Sequence, residues 1–431
     1  MPLRLSASDP DFDVRFTAFV EARRGVDADV SRDVSAIIAD VKARGDSAIA
    51  EYTQRFDGFD LASTGWSVSK KERTGALDTL EPELRSALEL AASRIRAFHE
   101  KQKPQDSEIT DEAGVRMGSR WSAIETAGLY VPGGRAAYPS SLLMNAIPAL
   151  VAGVEHMVLV TPTPGGTINP LILAAAEIAG VGEIYRIGGA QAVAALAFGT
   201  ETIPRADIVV GPGNAWVAEA KRQLYGTVGI DMVAGPSEIA VIADSGNDPD
   251  WIAADLLSQA EHDVTSQSIL FTDDVAFGDA VARSVDDQLE QLATSETARA
   301  SWENNGAIIC VDALEDAAAL SDRLAPEHLE LATANPDPLF DRIRHAGSVF
   351  LGRLTPEAIG DYVGGPNHVL PTGRRARFSS GLSVLDFMKR TSFLQCGEQG
   401  LEQIGPAAVR LAEAEGLPAH AKSIAMRLSQ K

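Results

Sequence analysis

Residues 126–162 read "TAGLYVPGGRAAYPSSLLMNAIPALVAGVEHMVLVTP", and the order of residue types in this stretch decides the fold. "AGLYVP" is a short apolar run closed by a glycine-containing turn, "SSLLMNAIPALVAG" has the length of a helix, and "HMVLVTP" returns to a strand. The pattern continues with the helix "INPLILAAAEIAG", the strand "EIYRIGG", the helix "AQAVAALAFG", the strand "DIVVGPGN" and the helix "AWVAEAKRQL". Strand, turn and helix recurring at roughly 25-residue intervals predict a doubly wound parallel sheet. After "IDMVAGPSE" the alternation restarts with "EIAVIAD", a helix from Pro249, "SQSILFT", a helix from Val275 and "GAIICVD". "HLELAT" and "GSVFLG" follow, and together these runs predict a second α/β unit. Upstream, residues 29–56 and 71–102 carry a helical period and read as scaffold, and residues 381–431 read as helical and polar.

Composition limits what such a chain can serve. With 431 residues, 45% of them apolar, it can bury two or more domain cores. Its net charge of -22 and pI near 4.7 repel phosphate backbones and anionic lipid, so neither nucleic acid nor membrane is an expected partner. The N-terminus has no apolar run after Arg4 and reads as mature sequence, while the apolar stretch 141–162 is interrupted by Asn145, Pro148, Glu155 and His156. A cytoplasmic, soluble protein is expected. Cys310 and Cys396 match no zinc or redox spacing, which points to catalysis without a thiol and to any metal sitting on N and O ligands.

Several segments hold polar residues where core residues would serve. In "DLLSQAEHD", residues 255–263, Asp255, Gln259 and His262 fall at steps of four and three and share a helix face. Asp248 and Pro249 start that helix, and its apolar stripe of Ala253, Leu256, Leu257 and Ala260 leaves Gln259 and His262 at the polar margin, where a plain boundary helix would also put them. "LAPEHLEL" predicts a helix starting at Pro326, with Glu327 and His328 in its first turn. The helix dipole there would keep His328 neutral and able to accept a proton, with Glu327 as a second base. "IGDYVGGPNHVLPTG" sets Asp361 and His368 in an apolar, glycine-rich loop, and "EGLPAH" places Glu415 and His420 at the start of a terminal helix, where a histidine is ordinarily just solvated.

Glycine turns follow the strands at "VPGGR", "IGGAQA" and "VGPGNAW". The last has Gly211 and Gly213 but Trp216 where a dinucleotide fingerprint would have its third glycine, so alone it says only that strands turn into helices there. Gln259, His262, Asp361 and His420 could together form an N/O metal site suited to zinc, with manganese or cobalt also admissible, although no spacing rule joins them.

The segments "GIDMVAGPSEIAVIADSGNDPDWIAADLLSQAEHD", "YVPGGRAAYPSSLLMNAIPALVAGV", "IGGAQAVAALAFGT", "VVGPGNAWVAEAK", "LAPEHLEL", "GGPNHVLPTGRRARFSSGLSV" and "EGLPAHAKS" resemble the histidinol dehydrogenase family across almost the whole chain. The resemblance implies a zinc enzyme that oxidises L-histidinol through L-histidinaldehyde to L-histidine with two NAD+. It implies one zinc per subunit on Gln259, His262, Asp361 and His420, and Glu327 and His328 as the acid/base pair. It further implies substrate contacts from Ser237, His368 and Glu415 as well as the zinc ligands and bases, and NAD contacts from Tyr130, Gln191 and Asn214.

The fold it implies is two Rossmann-like doubly wound parallel-sheet domains with helical N- and C-terminal segments, in a homodimer with shared active sites. The expected division is a helical segment at 1–25, a first domain from 26–125 and 238–380, a second, NAD-contacting domain at 126–237, and a dimer-crossing tail at 381–431. Related dehydrogenases oxidise other primary alcohols such as sulfopropanediol, and the intact "QAEHD" and "EGLPAH" favour histidinol over these. A zinc hydrolase in which Glu327 activates water is the reading from another class, and a non-catalytic binding protein gives no reason for Glu327 beside His328.

Overall fold

The computed structural model describes residues 1–22, 28–133 and 138–429, Ala28 by its backbone alone. In chain order the strands are β1 (Leu3–Ser6), β2 (Ser107–Thr110), β3 (Arg116–Ala123), β4 (Thr126–Tyr130), β5 (His156–Val160), β6 (Glu183–Tyr185) and β7 (Ile208–Val210). They continue with β8 (Gly229–Ile230), β9 (Glu238–Ala243), β10 (Gln267–Thr272), β11 (Ala307–Cys310), β12 (His328–Ala332), β13 (Ser348–Leu351) and β14 (Met388–Gln395).

Two parallel sheets wind in the same way. One has the order β6-β5-β4-β7-β8 and the other β11-β10-β9-β12-β13, with β1 added at the free edge of β11. In each, the chain steps outward through three strands, crosses back past the first and finishes on the other side. Parallel strands need helical crossovers on both faces, and this is why β9, β10 and β12 read as unbroken apolar runs: every residue in them is buried. The α/β class with doubly wound parallel sheets flanked by helices is as the alternation predicts.

Three details differ from the sequence reading. Residues 1–22 begin with a strand, β1, which pairs with β11 before the helix Phe12–Glu21 covers the same sheet with Phe16. Second, the helices between 28 and 100 belong with the five-stranded sheet, not with the six-stranded one. Ile37, Val41 and Ile49 share a core with Val158 and Val193, and Leu88 and Ile95 share one with Leu129 and Leu142. Helical period finds a buried stripe but not the partner that buries it. Third, the tail is not all helix, because β14 pairs antiparallel with β3, which pairs with β2. The helices Glu398–Ala414 and Pro418–Leu428 follow, packed on each other where Gly405 meets Leu428 and Ile424. Among the described residues no helix is long and apolar enough to cross a membrane.

Two buried polar arrangements set loops in place. Pro148 lies inside the helix Pro139–Ala152 and cannot donate to the carbonyl of Met144, one turn back. Asn367 fills that vacancy, its Nδ2 donating to the Met144 oxygen at 2.6 Å. At the end of β7, Gly211 has φ +118, and a Cβ there would lie 2.0 Å from the Tyr130 carbonyl oxygen. Its N–H donates to Asp231 at 2.8 Å and its carbonyl accepts from Lys221 Nζ at 3.0 Å, while Lys221 and Asp231 form a fully buried ion pair.

That pair gives a stability prediction. Lys221→Met should cost about 3–5 kcal/mol by stranding the Asp231 carboxylate, read from the urea unfolding midpoint. Adding Asp231→Leu should restore part of the loss.

Candidate active site

The site gathers at the amino-terminal edge of the six-stranded sheet. The helix Asp316–Leu324 ends at Ala325, which takes a left-handed conformation with φ 48°, and the chain then passes through Pro326 and Glu327 straight into β12. Pro326 therefore starts no helix, and Glu327 and His328 stand at the head of a strand. The dipole argument for a neutral His328 fails with the helix; burial does the same work.

His328 is enclosed, and loss of hydration pushes its pKa down to about 4, against the opposing pull of the Asp361 carboxylate. Its Nδ1 lies 3.0 Å from Gln259 Oε1 and 3.2 Å from the Glu238 carbonyl oxygen. Both are acceptors, so Nδ1 carries the proton and Nε2 keeps its lone pair. That Nε2 is buried without a hydrogen-bond partner. Glu327 accepts the Glu238 N–H at 3.0 Å, and burial raises its carboxyl well above the ordinary range.

The crossover helix Pro249–Ala260 runs back against the strands, so its carboxyl end returns to this edge. There Gln259, buried, lies with its Nε2 3.3 Å from Nδ1 of the exposed His262. Asp255, one turn earlier, turns instead to Glu330, and two carboxyls in hydrogen-bond contact must share a proton. Glu330 also accepts the first N–H of the helix Glu357–Tyr362 at 2.5 Å. That helix carries Glu357 and Asp361 one turn apart. Asp361 Oδ1 is 3.4 Å from His368 Nδ1, and Glu357 Oε1, buried and unpartnered, is 3.5 Å from His328 Nε2. A cavity of about 320 Å3 opens here between His328, Phe350, Asp361, His368 and Arg94.

Of the residues singled out from sequence, the structure brings Gln259, His262, Glu327, His328, Asp361 and His368 together, with Ser237 just ahead of Glu238 at the same edge. Glu415 and His420 are not among them. Both are exposed on the C-terminal helix pair, and neither side chain makes a hydrogen bond or ion pair among the described residues. Sequence reasoning missed Glu357 and Glu330, although Glu357 and Asp361 in "PEAIGD" show the four-residue step of a shared face. Among the described residues, His328, Glu357 and Asp361 bring ligand atoms within 4.8 Å of one another, a group that shares only Asp361 with the expected metal set.

Tyr130, Gln191 and Asn214 meet elsewhere, in a cleft of about 480 Å3 at the carboxyl edge of the five-stranded sheet. Burial raises the Tyr130 phenol to about 12, and its oxygen accepts the Gly189 N–H at 3.1 Å. Asn214 caps the helix Ala215–Leu224 through the N–H groups of Trp216 and Val217. Of the "VPGGR" turn, Gly134 and Arg135 lie outside the described residues.

Two doubly wound sheets, with a buried acid–imidazole pair at an edge of one and a cleft at the strand ends of the other, define an α/β protein with two separate candidate sites. A profile of the histidinol dehydrogenase family matches residues 21–428. The histidinol dehydrogenase of Zymomonas mobilis is 65% identical over 430 residues, covering 100% of both chains. That of Rhodospirillum rubrum is 63% identical, covering 100% of this chain and 99% of its own. The crystal structure of histidinol dehydrogenase from Elizabethkingia anophelis superposes with a TM-score of 0.94 at 39% identity, covering 99% of this chain and 98% of that one. The chain belongs to the histidinol dehydrogenase family.

The Glu327 geometry separates two substitutions. Glu327→Ala leaves the buried Glu238 N–H without an acceptor and should cost about 1–3 kcal/mol in denaturant unfolding, whereas Glu327→Gln retains an oxygen and should cost markedly less. Equal losses would mean that the bond carries no weight.

Proposed function

We propose that this chain is a zinc-dependent, NAD-linked enzyme that oxidises L-histidinol via L-histidinaldehyde to L-histidine, working as a cytoplasmic homodimer. The observation that carries the chemistry is the unpartnered, buried Nε2 of a neutral His328, with the Glu327 carboxyl beside it and a cavity in front.

The residues present fit both implied groups. Gln259 and His262 offer O and N donors at the carboxyl end of the helix Pro249–Ala260, whose dipole favours a cation. Asp361 adds a carboxylate from the helix Glu357–Tyr362, and Glu357 Oε1, buried without a hydrogen-bond partner, is a further oxygen nearby. Zinc would be held by Gln259, His262, Asp361 and His420. The Tyr130 cleft, about 480 Å3 in volume, is lined by the amino ends of two helices, which suit the phosphates of a dinucleotide. Bound zinc would supply orientation of the substrate's imidazole and amine, and each NAD+ would accept one of the two hydrides.

The chain's own residues handle the protons. His328 Nε2 takes the proton from the alcohol in the first oxidation. In the second, Glu327 in its ionised form takes a proton from the water that attacks the aldehyde, while the protonated His328 returns its proton to the aldehyde oxygen, forming the hydrate. His328 then takes a hydroxyl proton of the hydrate as the second hydride leaves. Asp361 balances the charge that gathers on His328. His368, which lines the cavity, and Ser237, next to Glu238 at the same edge, contact substrate.

Glu415 and His420 enter from a second copy of the chain. They sit on two helices packed chiefly on each other, and the last of these, eleven residues long, is too short to persist without a surface to dock on.

Two measurements test this reading. Limiting histidinol should yield two NADH at 340 nm and histidine as the sole product. One NADH with aldehyde accumulating, or no absorbance change at all, overturns it, the second result favouring hydrolase chemistry. For the dimer, His262→Ala and His420→Ala, each inactive alone, should be unfolded together and refolded as a mixture. Half the dimers are then hybrids with one intact site of two, so roughly a quarter of wild-type activity should return. No recovery with hybrids demonstrated by mass spectrometry would place His420 in its own subunit's site.

A further inference from the structure

The cleft beside Tyr130 holds a carboxylate that the chemistry above does not use. Asp57 is the last residue of the helix Asp46–Asp57 and lines this cleft with Tyr130, Pro162 and Pro164. Its carboxylate is bonded by the backbone N–H of Thr163, and its Oδ2 is buried without a hydrogen-bond partner among the described residues. Burial raises the carboxyl above its ordinary range, as expected of an anion short of donors.

The position is informative. In a doubly wound sheet a dinucleotide lies across the carboxyl ends of the strands where their order reverses, here between β4 and β7. An acidic residue about 20 residues or more past the first glycine turn, at the end of the second strand, then accepts the ribose hydroxyls. The second strand of this sheet is β5, and the residues after it are Thr161, Pro162, Thr163 and Pro164, none of them acidic. Asp57 comes from a helix outside the sheet and is bonded to Thr163, which puts a carboxylate in the place that the strand itself leaves vacant.

We infer that Asp57 accepts the ribose hydroxyls on the adenosine half of the dinucleotide and excludes a 2′-phosphate there, so that it selects NAD over NADP. The inference rests on the nicotinamide reading above. The hydroxyls would donate to a carboxylate that has only the Thr163 N–H and one oxygen without a partner, whereas a phosphate would set two further negative charges against it in a partly desolvated cleft, on a chain already at -22.

The test is a fluorescence titration of NADH and NADPH against the full-length wild-type protein, Asp57→Asn and Asp57→Glu, with thermal melts showing that each is folded. Wild type should prefer NADH on the order of a hundredfold or more. Asp57→Asn should weaken NADH about tenfold and reduce the preference to about tenfold or less, because the charge is gone while the volume is kept. Asp57→Glu should still reject NADPH. Asp57→Ser carries the same expectation as the Asn variant if that one does not fold. A preference that survives Asp57→Asn, or one lost equally in Asp57→Glu, overturns the assignment of Asp57 while leaving the NAD reading intact. Failure of wild type to bind either nucleotide overturns the NAD reading and this inference together.

Discussion

A parallel sheet must hide both faces beneath helices, because its strands expose no polar face to water, and the rest of this molecule follows from that constraint. Each crossover helix runs back against its strands. The amino-terminal strand ends are therefore flanked by helix carboxyl ends, and the carboxyl strand ends by helix amino ends. The chain uses one edge of each kind. Gln259 and His262 close the helix Pro249–Ala260 at the amino edge of the six-stranded sheet, where the helix dipole favours a cation. Gly189, Gln191 and Asn214 open helices at the carboxyl edge of the five-stranded sheet, where it favours phosphate.

The two edges are joined by hydrogen bonds that substitute for missing backbone partners. Pro148 deprives the Met144 carbonyl of its donor, and Asn367 supplies one from the loop that carries His368. From the scaffold, Arg94 donates to the carbonyls of Val363 and Gly364, just past Asp361. The loop of Asp361 and His368 is thus positioned by the unit that carries the Tyr130 cleft. A change in the core around Met144 reaches His368 through one side chain.

Burial of so many ionisable groups is the cost of this arrangement. Glu327, Glu330 and Glu357 are all enclosed with raised pKa values, and Asp255 shares the Glu330 proton. Their bonds nevertheless tie together the elements that carry the site. Glu327 links the head of β12 to β9, and Glu330 links β12 to the helix of Asp361 and, through Asp255, to the helix of Gln259. Protonated carboxyls can donate as well as accept, which lets acidic residues act as struts where carboxylates would repel one another.

Period and punctuation were enough, from the sequence alone, to place nearly every strand of the two parallel sheets, because a strand buried on both faces is a short apolar run that needs no knowledge of its neighbours. The shared face of Asp255, Gln259 and His262 was legible for the same reason, since helical spacing is local. Glu327 and His328 were legible as chemistry but not as a strand: Pro326 is as good a signal for a helix start as for the break that precedes β12, and only pairing with β9 and β13 decides between them. Which sheet the helices of 28–100 cover, why Glu357 faces His328, and how Asp57 comes to lie against Thr163 depend on contacts between residues far apart in the chain. Such contacts are fixed by the closing of the core, and no local pattern records them.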